Sequence, residues 1–457
     1  MAELNNWSEL PEELLCMVNQ RLVKLKDVIL FRAVCKPWRR SLDCRKFRQS
    51  LPWLMLPYCS DDAVNSSPSE EGCKASDSCR RFFDVAEHTF RHIELHQGLD
   101  KTTCRGSAFG WVFTLQRTPF MFLLNPLTRE QIQLPPITRF PDVLKYRPEK
   151  IGHEFLRLSD SGRKIAQGKK FFESTFINKM ALSADPCAEK DFVVMVIRSL
   201  DGLRLAFCRP RNDEAWTLVP SPSPGPKRIG FRDVVFWRGQ FYALDGRFRV
   251  LTCDVSIPGH PRLHWFIDRE LRGEFQNAYL SVSPTGDGLM MVARYISFPE
   301  DDDDDGDADI IPADDVAEDD EADIVWLDED SDDEHSIDPG VNLDSKVHYT
   351  IGYKVFKLKE DTKEWEEIGS IGEYALFLGF STSTCVSTRD HPEIVPNSIY
   401  FTDDMLDYHY KKVLGGSDMG IFSLSTGSVQ PLYDARSVHS NPSFISPYPV
   451  WFLPSNV

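Results

Sequence analysis

From about residue 80 onward the chain reads as one short strand after another and almost nowhere as helix. Runs such as Phe82–Val85, Phe90–Leu95, Ala108–Leu115, Phe120–Leu124, Phe192–Arg198 and Arg204–Cys208 are rich in aromatic and branched residues. Gly, Pro, Asn and Asp separate them. The pattern continues through Val234–Trp237 and Gln240–Leu244, which flank Arg238-Gly239 as a hairpin, and on to Leu289–Ile296, Ile351–Leu358, Leu376–Phe380 and Ser398–Phe401. A chain that supplies strands without helices has to bury both faces of its sheets and hide their edges. Small sheets set radially around an axis do both. Thirty Phe and ten Trp suit such a body, because aromatic rings fit a pleated, half-buried surface.

Weak self-similarity points the same way. Arg238-Gly-Gln-Phe-Tyr-Ala-Leu-Asp245 and Pro396-Asn-Ser-Ile-Tyr-Phe-Thr-Asp403 both read as turn, aromatic strand, Asp; Asn125-Pro-Leu-Thr128 and Leu424-Ser-Thr-Gly427 sit at strand turnovers. Trp216 and Trp365 precede closing strands. Four-stranded units of about 40–50 residues give six blades of a β-propeller, with seven as the upper bound. The tail Pro-Val-Trp-Phe-Leu-Pro echoes Pro-Trp-Leu-Met-Leu-Pro near residue 52, and the two are expected to share a sheet that closes the ring.

The net charge of −18 belongs to one stretch. Residues 300–344 hold 23 Asp and Glu and no Lys or Arg, so the remaining chain is mildly basic. Residues 299–345 cannot bury enough apolar surface to offset their ordering entropy and are expected to form a disordered acidic loop inside the hairpin Leu289–Ile296 to Ile351–Leu358. The stretch reads first as a solvated spacer with no partner; the alternative is that its apolar island, Ile324-Val-Trp-Leu327, is a short linear motif in an acidic arm that docks on a basic surface, a partner's or the propeller's own.

The first 48 residues differ from the rest. Leu10, Leu14, Leu15, Val18 and Leu22 recur at helical spacing, and Leu25, Val28, Ile29, Leu30 and Val34 form a second stripe. Pro11 suits a helix start, and Pro37 ends the second helix. A third short helix carries Trp38, Arg39 and Leu42. Three short helices are too few to close a core, so this piece needs a partner. Leu10-Pro11, Leu14-Leu15, Leu22, Phe31-Arg32, Val34-Cys35 and Trp38-Arg39 resemble the pattern of an F-box, the module that docks the Skp adaptor of cullin-based ubiquitin ligases. The resemblance implies adaptor contacts at Leu10, Pro11, Leu14, Leu15, Val18, Leu22 and Ile29, with Trp38 in support.

The strand-rich region resembles the KIB-type domain of plant F-box proteins, a kelch-like β-propeller. The resemblance is carried by Asn125-Pro-Leu-Thr128, Asp233-Val-Val-Phe-Trp-Arg-Gly-Gln-Phe-Tyr-Ala-Leu-Asp245, Phe377-Leu-Gly-Phe-Ser381 and Pro447-Tyr-Pro-Val-Trp-Phe-Leu-Pro454. The expected organisation is F-box 1–48, propeller 49–298, acidic loop 299–345 and propeller 346–457 with ring closure.

Other constellations carry less. Asp301, Asp303, Asp305 and Gly306 match half a calcium loop, but position twelve is Pro312. His88, His92 and His96 lie four apart, yet in strands they form a polar outer face, and no further ligand completes a zinc set. Gly415, Gly416 and Gly420 read as a turn, because no Lys-Ser/Thr follows them. Cys35 reads as F-box core. No cofactor or metal is expected. The start of the chain has no signal-peptide pattern, no run reaches the ~20 apolar residues of a membrane span, and eleven scattered Cys suit the nucleus or cytoplasm. The expected partners are the Skp adaptor, cullin through it, and an unnamed protein substrate, with no nucleic acid or membrane. The function expected is a non-catalytic substrate receptor. The alternatives are a non-degradative scaffold binding a signalling protein or transcription factor and, more remotely, a propeller oxidase or hydrolase.

Overall fold

A computed structural model describes residues 7, 10–19, 31, 34–40, 51–56, 79–94, 103–115, 119–221, 229–257, 259–298, 324–326, 348–405, 418–433 and 449–454. Among them, six sheets stand around an axis and a seventh lies outside the ring. Blade I combines Val450–Phe452 with Trp53–Met55, Cys79–Asp84 and Thr89–Glu94. Blade II runs Thr103–Ala108, Trp111–Leu115, Met121–Leu124 and Gln131–Leu134. Blade III runs Ile177–Leu182, Val194–Ser199, Leu203–Cys208 and Thr217–Leu218, and blade IV Phe231–Trp237, Gln240–Asp245, Val250–Asp254 and Arg262–Ile267. Blade V holds Asn277–Val282, Leu289–Ser297, Tyr349–Lys359 and Glu364–Ile368. Blade VI has five strands in the order Thr384–Ser387, Tyr374–Leu378, Ser398–Phe401, Gly420–Ser423 and Val429–Gln430; Tyr374–Leu378 and Ser398–Phe401 pair in parallel.

The six-blade expectation follows from what touches what. The first strands of blades II and III lie side by side, as do those of III and IV and of IV and V, while Val450–Phe452 lies beside the first strand of blade II. Each junction buries its own apolar core. Trp53, Phe82 and Phe452 meet Val112 between I and II; Met195 and Phe207 meet Val234 and Phe241 between III and IV; Leu54, Phe83 and Trp451 meet Phe377 and Tyr400 between VI and I. The ring closes as the sequence proposes, with Trp53 opposite Phe452, Leu54 opposite Trp451 and Met55 opposite Val450.

The extra sheet is Val143–Tyr146, Phe155–Leu158 and Lys164–Gln167, followed by a short helix at Lys169–Ser174. Val143, Phe155 and Phe172 join the core between blades II and III, so this accessory sheet covers the outside of that junction. Its fourth strand is Ile324–Trp326, paired in parallel with Lys164–Gln167. The expectation of an insert disordered throughout is therefore corrected at these three residues. The rest of 299–345 lies outside the described residues, as do Asp301, Asp303, Asp305, Gly306 and Pro312. The hairpin that the insert interrupts is present, from Met290 opposite Lys357 to Ser297 opposite Tyr349. No helix among the described residues is long and apolar enough to cross a membrane.

Candidate functional site

At the N-terminus, helix α1 spans Glu12–Asn19 and helix α2 spans Lys36–Arg40. The Pro11 carbonyl accepts from the Leu14 and Leu15 amides, and Glu13 stands in the first turn, where the helix dipole favours negative charge. Two faces of α1 have different fates. Leu15 is 1% exposed and packs with Phe31, Leu10 and Trp38. The Phe31 and Trp38 rings lie 4.5 Å apart, and Trp38 Nε1 donates to the Trp7 carbonyl at 2.9 Å. Leu14, Met17 and Val18, spaced three and four apart on the other side, are 46%, 53% and 44% exposed.

Leu15, expected at the adaptor contact, is thus placed in the core of the helical piece; its 1% exposure leaves nothing for a partner to touch. Leu10 is half-buried beside it, as is Trp38, whereas Pro11, Leu14 and Val18 are open. Leu22 and Ile29 lie outside the described residues. Val34 of the second stripe is open as well, and Met17, which the stripes do not include, is another exposed apolar side chain. A sequence signal for Met17 existed, since it sits three residues after Leu14 and one before Val18. Covering each of these half-exposed side chains would gain roughly 1 kcal/mol.

In the propeller, the loop 379–383 joins two strands of blade VI, Tyr374–Leu378 and Thr384–Ser387, and reaches across to other blades. Trp451 Nε1 donates to the Leu378 carbonyl at 3.0 Å, and Ser381 Oγ donates to the Trp451 carbonyl, fastening the segment to blade I. The Thr382 amide donates to the Ser107 carbonyl of blade II at 3.2 Å, and Thr382 Oγ1 donates to the Met180 carbonyl of blade III at 3.2 Å. Lys179 of blade III donates to the Gly379 carbonyl at 2.6 Å. Ser383 Oγ reaches Asp233 of blade IV at 3.5 Å. The Phe-Leu-Gly-Phe-Ser motif together with the Thr382 and Ser383 that follow it is therefore a plug that ties four blades. Gly379 has φ +153°, and a Cβ there would stand 2.1 Å from Thr402 Oγ1. Gly106 has φ +73°, with a Cβ position 2.7 Å from the Phe380 carbonyl oxygen.

Around the plug, buried charges join neighbouring blades. Asp233 accepts from the Leu280 amide of blade V at 2.9 Å and lies 3.3 Å from Lys179. Burial pushes its carboxyl up, and Lys179 together with the two backbone donors opposes that. Arg294 of blade V, fully buried, donates to Asp404 at 2.9 Å, Asp418 at 2.9 Å, Tyr279 Oη at 3.0 Å and Thr350 Oγ1 at 2.9 Å. Burial works against its charge, but the tyrosines and carboxylates around it raise its pKa well above the ordinary guanidinium value. His348 Nε2 lies 3.0 Å from Asp403. Burial disfavours the imidazolium, and the Asp403 hydrogen bond and charge overcome that, lifting the pKa above 6.5.

These pairs form a lock between blades V and VI. Beside it, Asn178, Lys179, Arg232, Asn277, Tyr279 and Asp404 line a small cleft that opens to solvent. His88 stands in a turn at φ +50° and His92 in the following strand, while His96, Gly415 and Gly416 lie outside the described residues. No group of three or more His, Cys, Asp or Glu among the described residues could hold a metal ion.

Known proteins match this arrangement along nearly the whole chain. F-box protein SKIP23 of Arabidopsis thaliana is 23% identical over 440 residues, covering 93% of this chain and 91% of its own. A further F-box protein of the same plant is 22% identical over 455 residues, covering 95% and 96%. The KIB1-4 beta-propeller model matches residues 82–423, from within the strand Cys79–Asp84 of blade I to the end of the strand Gly420–Ser423 of blade VI. That is most of the ring, and the chain belongs to the KIB1-4 β-propeller family.

Proposed function

We propose that the chain is the substrate-recognition subunit of an SCF-type cullin-RING ubiquitin ligase. The N-terminal helices dock the Skp adaptor and, through it, cullin, while the propeller holds a protein substrate. The observation that carries this reading is the split face of α1: Leu15 closes the small bundle, and Leu14, Met17 and Val18 remain as an apolar surface the chain itself leaves open. The F-box names of the A. thaliana relatives support the same partner.

The chemistry asked of such a receptor is proximity. By holding a substrate lysine near a charged conjugating enzyme it raises the effective concentration of one reactant at the other, and it needs no catalytic side chain of its own. Cysteines that are free thiols, among them the buried Cys104, Cys208 and Cys253, suit a reducing compartment, so the site of action in this reading is the nucleus, the cytoplasm or both.

The test compares partners captured by the full chain and by a Leu14→Glu/Val18→Glu variant in cells. The expected result is that the variant keeps its propeller-bound protein, loses adaptor and cullin, and lets the bound protein accumulate as it does under a proteasome inhibitor. A captured partner whose level is indifferent to both the variant and the inhibitor would contradict the ligase reading and mark a non-degradative scaffold.

A further inference from the structure

Two strands far apart in sequence meet on the outer edge of the accessory sheet. Lys164 lies opposite Ile324, Ile165 opposite Val325 and Ala166 opposite Trp326, in parallel. On its other side Lys164–Gln167 pairs with Phe155–Leu158, so the edge taken by Ile324–Trp326 is one that no sequence neighbour closes. An open edge presents a row of amides and carbonyls to any extended chain. Ile-Val-Trp supplies the branched and aromatic residues that favour strand, inside a run of carboxylates that does not.

The side chains and charges fit as well as the backbone. Leu158, Lys164 and Ile324 are register partners and share one face of the sheet. Leu158 and Val325 keep about four-tenths of their surface open. In sequence, Glu321 and Asp323 precede this strand and Asp328, Glu329 and Asp330 follow it, while Arg163 precedes its partner strand and Lys169 and Lys170 come after that strand, a complementarity of charge between the two segments. Three paired residues form a weak ladder, and parallel pairing is weaker per residue than antiparallel. What favours the contact is tethering. The insert is joined to the chain at the hairpin in which Ser297 faces Tyr349, so its pairing with this edge is intramolecular and competes against any separate peptide at an advantage.

We propose that the Lys164–Gln167 edge is a docking edge for an extended acidic peptide, and that the insert occupies it in cis. A partner's strand of the same chemistry binds by displacing Ile324–Trp326. Backbone pairing supplies adhesion, the apolar residues set register, and the basic flanks select carboxylates. This holds whether or not the chain serves a ligase.

The experiment uses the full chain, a full-chain Ile324→Pro/Val325→Pro variant that cannot donate from this strand, and a fluorescent peptide spanning residues 319–331. The variant is expected to bind the peptide at least about 10-fold more tightly than the wild type, because the tethered competitor is gone. A scrambled peptide of equal composition is expected to bind neither. Hydrogen exchange over residues 164–167 is expected to be faster in the variant and slower again once the peptide is added. Equal binding to wild type and variant, absence of binding to both, equal binding of the scrambled peptide, or unchanged exchange at 164–167 would each overturn the proposal.

Discussion

Single atoms decide how the blades of this propeller are tied. At Gly379 both the backbone angle and the space are closed to other residues: φ is +153°, and an added Cβ would come within 2.1 Å of Thr402 Oγ1. Gly379→Ala is expected to cost about 2–4 kcal/mol, combining backbone strain with overpacking, and chemical denaturation measures it. A loss below about 0.5 kcal/mol, the usual size of an inert surface change, would contradict the plug. His348 makes the lock sensitive to pH. Its pKa is higher in the folded protein than its ordinary 6.5, because the Asp403 carboxylate 3.0 Å away outweighs the burial that opposes the charge. The sign follows from linkage: this contribution to stability is fully present below 6.5 and is lost as pH rises through the folded-state value. The melting-temperature gap between wild type and His348→Gln is therefore expected to narrow from about pH 6 to about pH 8. A gap that stays constant or widens would contradict the assignment.

Strands with aromatic alternation were legible in the sequence, and so was ring closure, because Trp451 and Phe452 have no sensible place except beside Trp53–Met55. Trp451 sits in the VI–I core and also donates to the Leu378 carbonyl at 3.0 Å. Trp451→Ala is expected to cost about 3–5 kcal/mol in urea unfolding, and a cost under about 1 kcal/mol would show the seam to be dispensable. Other elements were hidden for physical reasons. Ala108–Leu115 reads as one strand, yet Phe109 and Gly110 take φ +50° and +76° and turn the chain, a pairing normally announced by Asn-Gly. The accessory strands Val-Leu-Lys-Tyr, Phe-Leu-Arg-Leu and Lys-Ile-Ala-Gln are four residues each, with charges that blur the alternation. Ile324–Trp326 stands out by composition, but its partner strand is remote in sequence, and no local pattern names it. In α1, periodicity marks Leu14, Leu15 and Val18 alike. Only packing shows that Leu15 turns inward, while Met17 completes the open face.

As a whole, the molecule joins a small helical piece with an open apolar face to a ring closed on itself. The body has sealed its own ring: the chain's last described strand completes the first blade, the plug fastens four blades, and Arg294 with Asp404 and Asp418 fastens the remaining pair. The helical piece has not, and that contrast is why one part is read as cargo holder and the other as docking point. Calorimetric titration of the Skp adaptor into the full chain and into the Leu14→Glu/Val18→Glu variant tests this most directly, with the melting temperature of each recorded alongside. One-to-one binding by the wild type is expected, weakened at least about 30-fold by the two carboxylates, with the melting temperature of the body unchanged. Equal affinity for both proteins, or no binding by the wild type, would contradict the docking role.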